Sequence, residues 1–471
     1  MSQMDLLNDL KSALGEHAVF TEPSDLAPHL IEERGLYHGT SPALVKPATT
    51  QDVAAIVTIC AAHRTPIVAH GGNTGLVGGG VPDAAVVVDF SRMNKIISVD
   101  AANLTMEVEA GAILADVQAA AENAGAYFPL NLGAEGSCRI GGNLSTNAGG
   151  VHVVRYGNAR QLALGLEVVL ADGRIWDGLR ALRKNNTGYD LKELFLGAEG
   201  TLGLITRAVL RLYPNPASKA VALAGCASFE HALTLYQIAR ERAGDVLMAC
   251  EVMSDFSVAL AEKHIEAAVC PLEGRHGCYV LLELGSTDKD ADLGALMETA
   301  LGDAFETMVI EDAVIAQSGP QADALWKIRE AIPEAQKKEG GSIKHDVAVP
   351  VSKTPELIAR ASELVETLIP GVRVVAFGHL GDGNIHFNLS QPEDANKDEF
   401  LSLWHTVNEK VHDLVVSMGG SFSAEHGIGQ LKTAEMARLK SEVELDLMRT
   451  LKNALDPQNL LNPGKIIPPR N

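Results

Sequence analysis

Three glycine-rich stretches break up the first half of the chain and limit what it can fold into. The first, His70-Gly71-Gly72-Asn73-Thr74-Gly75-Leu76-Val77-Gly78-Gly79-Gly80, sets six glycines within ten residues, directly after the short apolar run Pro66 to Ala69. Glycine costs a helix interior about 1 kcal/mol relative to alanine and weakens strands, so no long regular element fits there. The second runs from Asn131 to Gly150 and contains Gly133, Gly136, Gly141, Gly142, Gly149 and Gly150. The third is Leu196-Gly-Ala-Glu-Gly-Thr-Leu-Gly-Leu-Ile-Thr206. Backbone without side chains can turn its N–H groups on an anion such as a diphosphate and lie close to a flat ligand. Taken singly, a glycine-rich turn between strands is the commoner explanation. Ser137, Asn143, Thr146 and Asn147 add neutral hydrogen-bonding groups. Gly-x-Gly-x-x-Gly is absent, so a nicotinamide-type dinucleotide fold has no support.

A second constraint lies in Phe377-Gly-His-Leu-Gly-Asp-Gly-Asn-Ile-His-Phe-Asn388, which follows the apolar run 372–376. Asp-Gly between alternating apolar residues signals a hairpin. With Asp382 and Gly383 as the turn, or a four-residue loop on the same centre, His379 falls opposite His386 and Asn388 shares their face. Opposed side chains have Cβ atoms about 4.5–5.5 Å apart, within reach of one divalent ion. Two histidines on a hairpin are usually just solvated. The later cluster Ser423-Ala-Glu-His-Gly-Ile-Gly429 alters that balance, because His379, His386 and Glu425 make a three-ligand set that leaves metal positions open to substrate.

At 471 residues with 46% hydrophobic composition, the chain should form two or three core-sized globular units. A formal charge of −21 argues against nucleic acid or an anionic membrane as the main partner, so an anionic substrate must meet a local basic pocket. Six cysteines show no Cys-x-x-Cys pair and read as reduced thiols. Residues 1–20 resemble an amphipathic helix and lack the basic start and apolar centre of a signal peptide, and no window of 18 apolar residues occurs. The expected location is cytoplasmic, with peripheral membrane docking left open.

Between these features the pattern is mixed. Helical spacing follows the Ala48-Thr-Thr-Gln-Asp52 start, strands are expected over 85–89 and 104–109, and a helix over 114–123. A hairpin over 166–176 turns at Asp172-Gly173. After Pro214 and Pro216, helices are expected over 229–243 and 255–268, with a strand over 278–284. Arg329 reads first as a helix-surface residue paired with Glu330 or Glu334, and Lys344 as a solvated side chain. Apolar positions from Phe400 to Met418 predict a packing helix, and another is expected over 443–454.

Residues 45–215 resemble the flavin domain of the vanillyl-alcohol oxidase group, and the closest likeness is to the FAD-linked D-2-hydroxyacid dehydrogenases. His-Gly-Gly-Asn-Thr-Gly-Leu-Val-Gly-Gly is similar to that family's diphosphate loop, while the strings 136–150 and 197–206 are similar to its other cofactor segments. Three long strings in the right order make the likeness specific, and it spans nearly the whole chain. The resemblance implies an α+β protein with a two-subdomain FAD-binding domain and an α+β cap, divided as an N-terminal helical segment (1–44), an FAD domain (45–217), a substrate domain (218–424) and a returning segment (425–471). It implies cofactor contacts from Gly71, Gly72, Asn73, Thr74, Gly75, Leu76, Gly133, Gly136, Ser137, Gly141, Gly142, Asn143, Thr146, Asn147, Gly149, Gly150, Glu199, Gly200, Ile205 and Asn462. Some relatives attach flavin through a histidine where this chain has Asn73, so non-covalent FAD is implied.

The same resemblance assigns substrate contacts to Arg329, Lys344, Asn388 and His426, and one divalent metal, zinc as the family's implication, to His379, His386 and Glu425. Pro333 departs from the pattern, standing where some members place a hydroxyl. The expected reaction is oxidation of a D-2-hydroxyacid, with His426 as base and hydride passing to flavin. Two cationic substrate contacts favour D-2-hydroxyglutarate over D-lactate. The electron acceptor would be an electron-transfer flavoprotein or a quinone, and a homodimer is left open. Two other classes fit parts of the pattern: a metal-dependent hydrolase or lyase using the same ligands, and a flavoprotein subunit that only relays electrons.

Overall fold

The computed structural model describes residues 2–469. They form two compact units: one holds the chain up to Gly150, Gly157–Asn215 and the stretch from Glu425 onward, and the other holds Val151–Tyr156 and Pro216–Ala424.

In the first unit a four-stranded sheet runs Val19–Phe20, Leu44–Val45, Val86–Asp89, Ile67–His70, the last three parallel. Helix Thr50–His63 makes the crossover. Thr49 caps it, accepting from the Asp52 N–H while the Asp52 carboxylate answers at the Thr49 N–H. The amphipathic helix expected over residues 1–20 stops at Leu14, because Gly15 adopts φ 83° and Val19–Phe20 is spent as an edge strand. A five-stranded antiparallel sheet follows, ordered Ile96–Asp100, Thr105–Glu109, Leu204–Arg211, Ala163–Val169, Ile175–Gly178. Helix Leu114–Asn123 buries Leu114, Val117 and Ala121. The returning tail is tied in by a parallel bridge between Leu461 and Ile67.

The second unit is built on an eight-stranded antiparallel sheet. Its order is Asp312–Ile315, Ser218–Cys226, Cys278–Ser286, Leu247–Ser254, Arg373–His379, Asn384–Ser390, Ser342–Ile343, with Asp346–Ala348 also on Asn384–Ser390. Alternate residues feed two cores: Ala376, Ile385, Phe387 and Leu389 join helices Phe229–Ala243, Thr354–Leu368 and Trp404–Ser417 on one face. Val375 and Phe377 join helices Asp255–His264 and Gly319–Glu339 on the other. The helix expected through 268 ends at His264, and the stripe from Phe400 to Met418 is two helices, Lys397–Ser402 and Trp404–Ser417, meeting at Leu403.

Residues 151–156, read from sequence as part of the FAD domain, belong to the second unit. Helix Val153–Tyr156 packs on strand Leu247–Ser254, Arg155 donates to the Gly285 carbonyl at 2.5 Å, and His152 Nε2 lies 3.3 Å from Glu283 Oε1. No helix among the described residues is long and apolar enough to cross a membrane. All six cysteines are free thiols.

Candidate active site

In the first unit the first and second glycine-rich stretches meet. A Cβ on Gly72 would lie 2.1 Å from the Ser137 carbonyl oxygen, so only glycine lets these backbones touch. The second stretch is not all loop: Ile140–Ser145 forms a short helix, with Gly141 against Ala110. Asn73 and Asn147 take positive φ, and their side chains tie the loops to the Ile31 carbonyl and the Arg160 N–H. Thr146 donates to the Gly142 carbonyl at 3.0 Å. By contrast, a Cβ on Gly75, Gly133, Gly136 or Gly142 would meet no protein atom within 4 Å. Asn462 Nδ2 donates to the Gly79 and Glu199 carbonyls, at 3.0 and 2.8 Å, while its buried Oδ1 has no partner among the described residues. Bare backbone beside open space, with a buried oxygen awaiting a donor, fits a flat, diphosphate-bearing cofactor such as FAD.

Glu199 takes a further part that sequence reasoning missed. Its carboxylate accepts from the Ile428 and Gly429 N–H groups at 2.7 and 2.8 Å, fixing the loop that carries His426. Burial raises its pKa, although those bonds, Lys432 and Lys465 oppose the rise.

In the second unit the hairpin forms with a different register from the one expected. The loop is 380–383, and His379 pairs with Asn384 while Phe377 pairs with His386. Turn chemistry explains the shift: Gly383, at φ 82°, is the last loop residue rather than the second of a two-residue turn. Asp382 Oδ1 then accepts from the Asn384 N–H at 3.0 Å. A slip of two leaves both histidines on one face, and their ring centroids lie 5.9 Å apart on the diagonal.

That face is the polar end of the sheet surface packed by helix Gly319–Glu339. Arg329 projects from the helix, is 7% exposed, and stacks over Phe377 with its guanidinium carbon 4.7 Å from the ring centroid. It does not pair with Glu330 or Glu334. Its Nε donates to Glu251 Oε2 at 2.8 Å, and His379 Nδ1 lies 2.6 Å from Glu251 Oε1. Its two Nη groups have no hydrogen bond among the described residues. Burial pushes the Glu251 carboxyl up, but the His379 and Arg329 charges outweigh this and hold it at about 2. Asn388 is buried, donating to Gln336 Oε1 at 3.0 Å and accepting from the His345 N–H at 3.1 Å. Lys344 is half-buried in the turn between Ser342–Ile343 and Asp346–Ala348.

Asp346 pairs with His386 across the ladder, and its carbonyl accepts from the Ala424 N–H at 3.2 Å. Glu425 is the next residue. His379 and His386 present two imidazoles on one face of this unit's sheet, and Glu425 and His426 open the returning stretch that belongs to the first unit. Two imidazoles with a carboxylate suit a divalent transition ion such as zinc. Glu251 and Asp346 were not singled out from sequence. The available signal for Glu251 was a lone acid inside the apolar run Leu-Met-Ala-Cys-Glu-Val-Met of 247–253.

Comparison with known proteins gives this fold its class. Residues 41–178 match the FAD binding domain family and residues 215–466 the family described as FAD linked oxidases, C-terminal domain. The fold resembles p-cresol methylhydroxylase with a TM-score of 0.77, at 18% identity, covering 98% of this chain and 96% of that one. It is the vanillyl-alcohol oxidase type, an FAD-binding domain with a cap, and the class is FAD-dependent oxidoreductase. The chain belongs to the FAD-linked oxidase family. It is 38% identical over 466 residues to the probable mitochondrial D-2-hydroxyglutarate dehydrogenase of Oryza sativa subsp. indica, covering 98% of this chain and 82% of the relative. It is 37% identical to a putative mitochondrial D-lactate dehydrogenase of Schizosaccharomyces pombe, covering 95% and 86%.

Proposed function

We propose that the protein is a D-2-hydroxyacid dehydrogenase that oxidises D-2-hydroxyglutarate to the 2-oxoacid, using non-covalent FAD and one divalent ion, zinc by preference. The observation that carries this reading is Arg329, a buried cation with its two Nη groups unbonded among the described residues, joined through Glu251 to His379. The bound cofactors supply a hydride acceptor and the Lewis acidity that lowers an alcohol's pKa by several units. His379, His386 and Glu425 hold the ion. The Nη fork of Arg329 binds a substrate carboxylate in two-point fashion, and Lys344 neutralises the second carboxylate of a diacid. His426 takes the hydroxyl proton, and Asn388 orients the substrate. Gly71, Gly72, Thr74, Gly75, Gly142 and Asn143 are among the residues that bind FAD. The relatives' named activities support the substrate class, and the S. pombe relative keeps D-lactate as the competing substrate.

Anaerobic addition of D- and L-2-hydroxyacids to the purified protein tests this. Bleaching of the flavin by D-2-hydroxyglutarate at a rate exceeding that with D-lactate, and suppressed by a chelator, is expected. Equal rates would reassign the substrate, and a chelator-insensitive reaction would remove the metal from the scheme. Reoxidation by an electron-transfer flavoprotein or by a quinone, tried side by side, identifies the acceptor.

A further inference from the structure

Glu251 lies in the centre of the eight-stranded sheet, directly across the ladder from His379, and is 0% exposed. A carboxylate placed there loses its hydration and must be repaired by partners. The sheet and helix Gly319–Glu339 supply one partner for each oxygen. Oε1 faces His379 Nδ1 at 2.6 Å and Oε2 accepts from Arg329 Nε at 2.8 Å. A carboxylate at Nδ1 fixes the ring proton there and makes Nε2 the unprotonated ring nitrogen, while pairing through Nε rather than the Nη groups leaves the guanidinium fork outside that pair.

We propose that Glu251 is a positioning residue that sets two groups at once, fixing the tautomer and ring orientation of the ligand His379 and the aim of the substrate-binding Arg329. The inference rests on the metal and carboxylate roles argued above. Its distinctive consequence is that one carboxylate governs both metal affinity and recognition of the anionic substrate, two properties that an ordinary buried ion pair would leave untouched.

The experiment uses FAD-loaded full-length protein as the parent, E251Q and E251D. Flavin content and the thermal transition verify folding, and Zn2+ affinity is measured by competition with a chromophoric chelator without substrate. In E251Q the amide NH2 must face either the His379 N–H or the Arg329 N–H, so one bond becomes donor against donor. Weaker Zn2+ binding by about 10–100-fold is expected, with a rise in KM for D-2-hydroxyglutarate larger than the fall in kcat. E251D, which keeps the charge on a shorter stem, should recover part of both losses. If E251Q does not fold, E251D decides: affinity and KM both within twofold of the parent overturn the proposal. The same result in a folded E251Q overturns it equally. A parent that binds no Zn2+ refutes the metal reading itself, which separates the two failures.

Discussion

Phe377, and not His379, is the residue directly across the ladder from His386, and its ring lies 5.0 Å from the imidazole. The aromatic ring thus packs against His386 and also carries the Arg329 guanidinium. His379 reaches the same face from two pairs nearer the turn, so the two imidazoles meet on a diagonal whose length depends on the loop holding its register.

That dependence places a demand on Gly383. A Cβ there would lie 2.1 Å from the Val349 carbonyl oxygen, and φ is 82°. Gly383→Ala is expected to cost about 1–3 kcal/mol of stability and to lower bound-metal content, with FAD content little changed. Urea denaturation with metal analysis measures both.

The open glycines make the opposite prediction. Gly142 lies inside helix Ile140–Ser145 with no atom within 4 Å of its would-be Cβ. Gly142→Ala should therefore stabilise the FAD-free protein by up to about 1 kcal/mol, the helix preference of alanine. FAD retention should fall in the same variant. Thermal melts with and without added FAD, together with the flavin-to-protein absorbance ratio, distinguish the two effects.

Removing the ion should stop chemistry without unloading the flavin. Chelator-treated parent and His386→Ala are both expected to keep yellow, folded protein that D-2-hydroxyglutarate no longer bleaches, and Zn2+ should restore the treated parent but not the variant. Retention of more than a tenth of the parental reduction rate by metal-free protein would count against the ligand assignment.

A pH test falls on the end of helix Gly319–Glu339. Burial raises the Glu339 carboxyl, but bonds from His264, Lys263 and Arg373 prevail and hold it at about 2. A folded-state pKa below the unfolded value adds stability above about pH 4.5, and that stability is lost as pH falls toward about 2. Glu339→Gln should be less stable than the parent at pH 7 by on the order of 2 kcal/mol, and the two urea midpoints should converge as pH drops below about 4.5. A constant gap down to pH 3 would show that the carboxylate is not the origin.

Much of the fold could be read in the chain, for reasons that vary by element. Helices Phe229–Ala243 and Leu114–Asn123 match their expected ends because amphipathic spacing and terminal signals agree there. The family and its flavin fold followed from the resemblance of three glycine-rich strings, taken in order, to that family's cofactor segments. The hairpin register was missed because Asp-Gly fits either the middle or the end of a short loop, and only Val349 and Asn384 decide between them. Glu251 was missed because its meaning comes from partners 78 and 128 positions away. Residues 151–156 carry no composition break to show that they leave one unit for the other.

The tie between Ile67 and Leu461 bears on how the molecule is born. The Ile67 N–H donates to the Leu460 carbonyl, and the Asn462 N–H donates to the Ile67 carbonyl. Strand Ile67–His70 therefore emerges from the ribosome long before the neighbour that covers its free edge, and contacts of such sequence separation form slowly. An uncovered edge invites pairing with other nascent chains. Trimming the chain before Leu460 would leave the first unit's parallel sheet with a permanent exposed border, so solubility during synthesis rests on a partner 394 positions further along the chain.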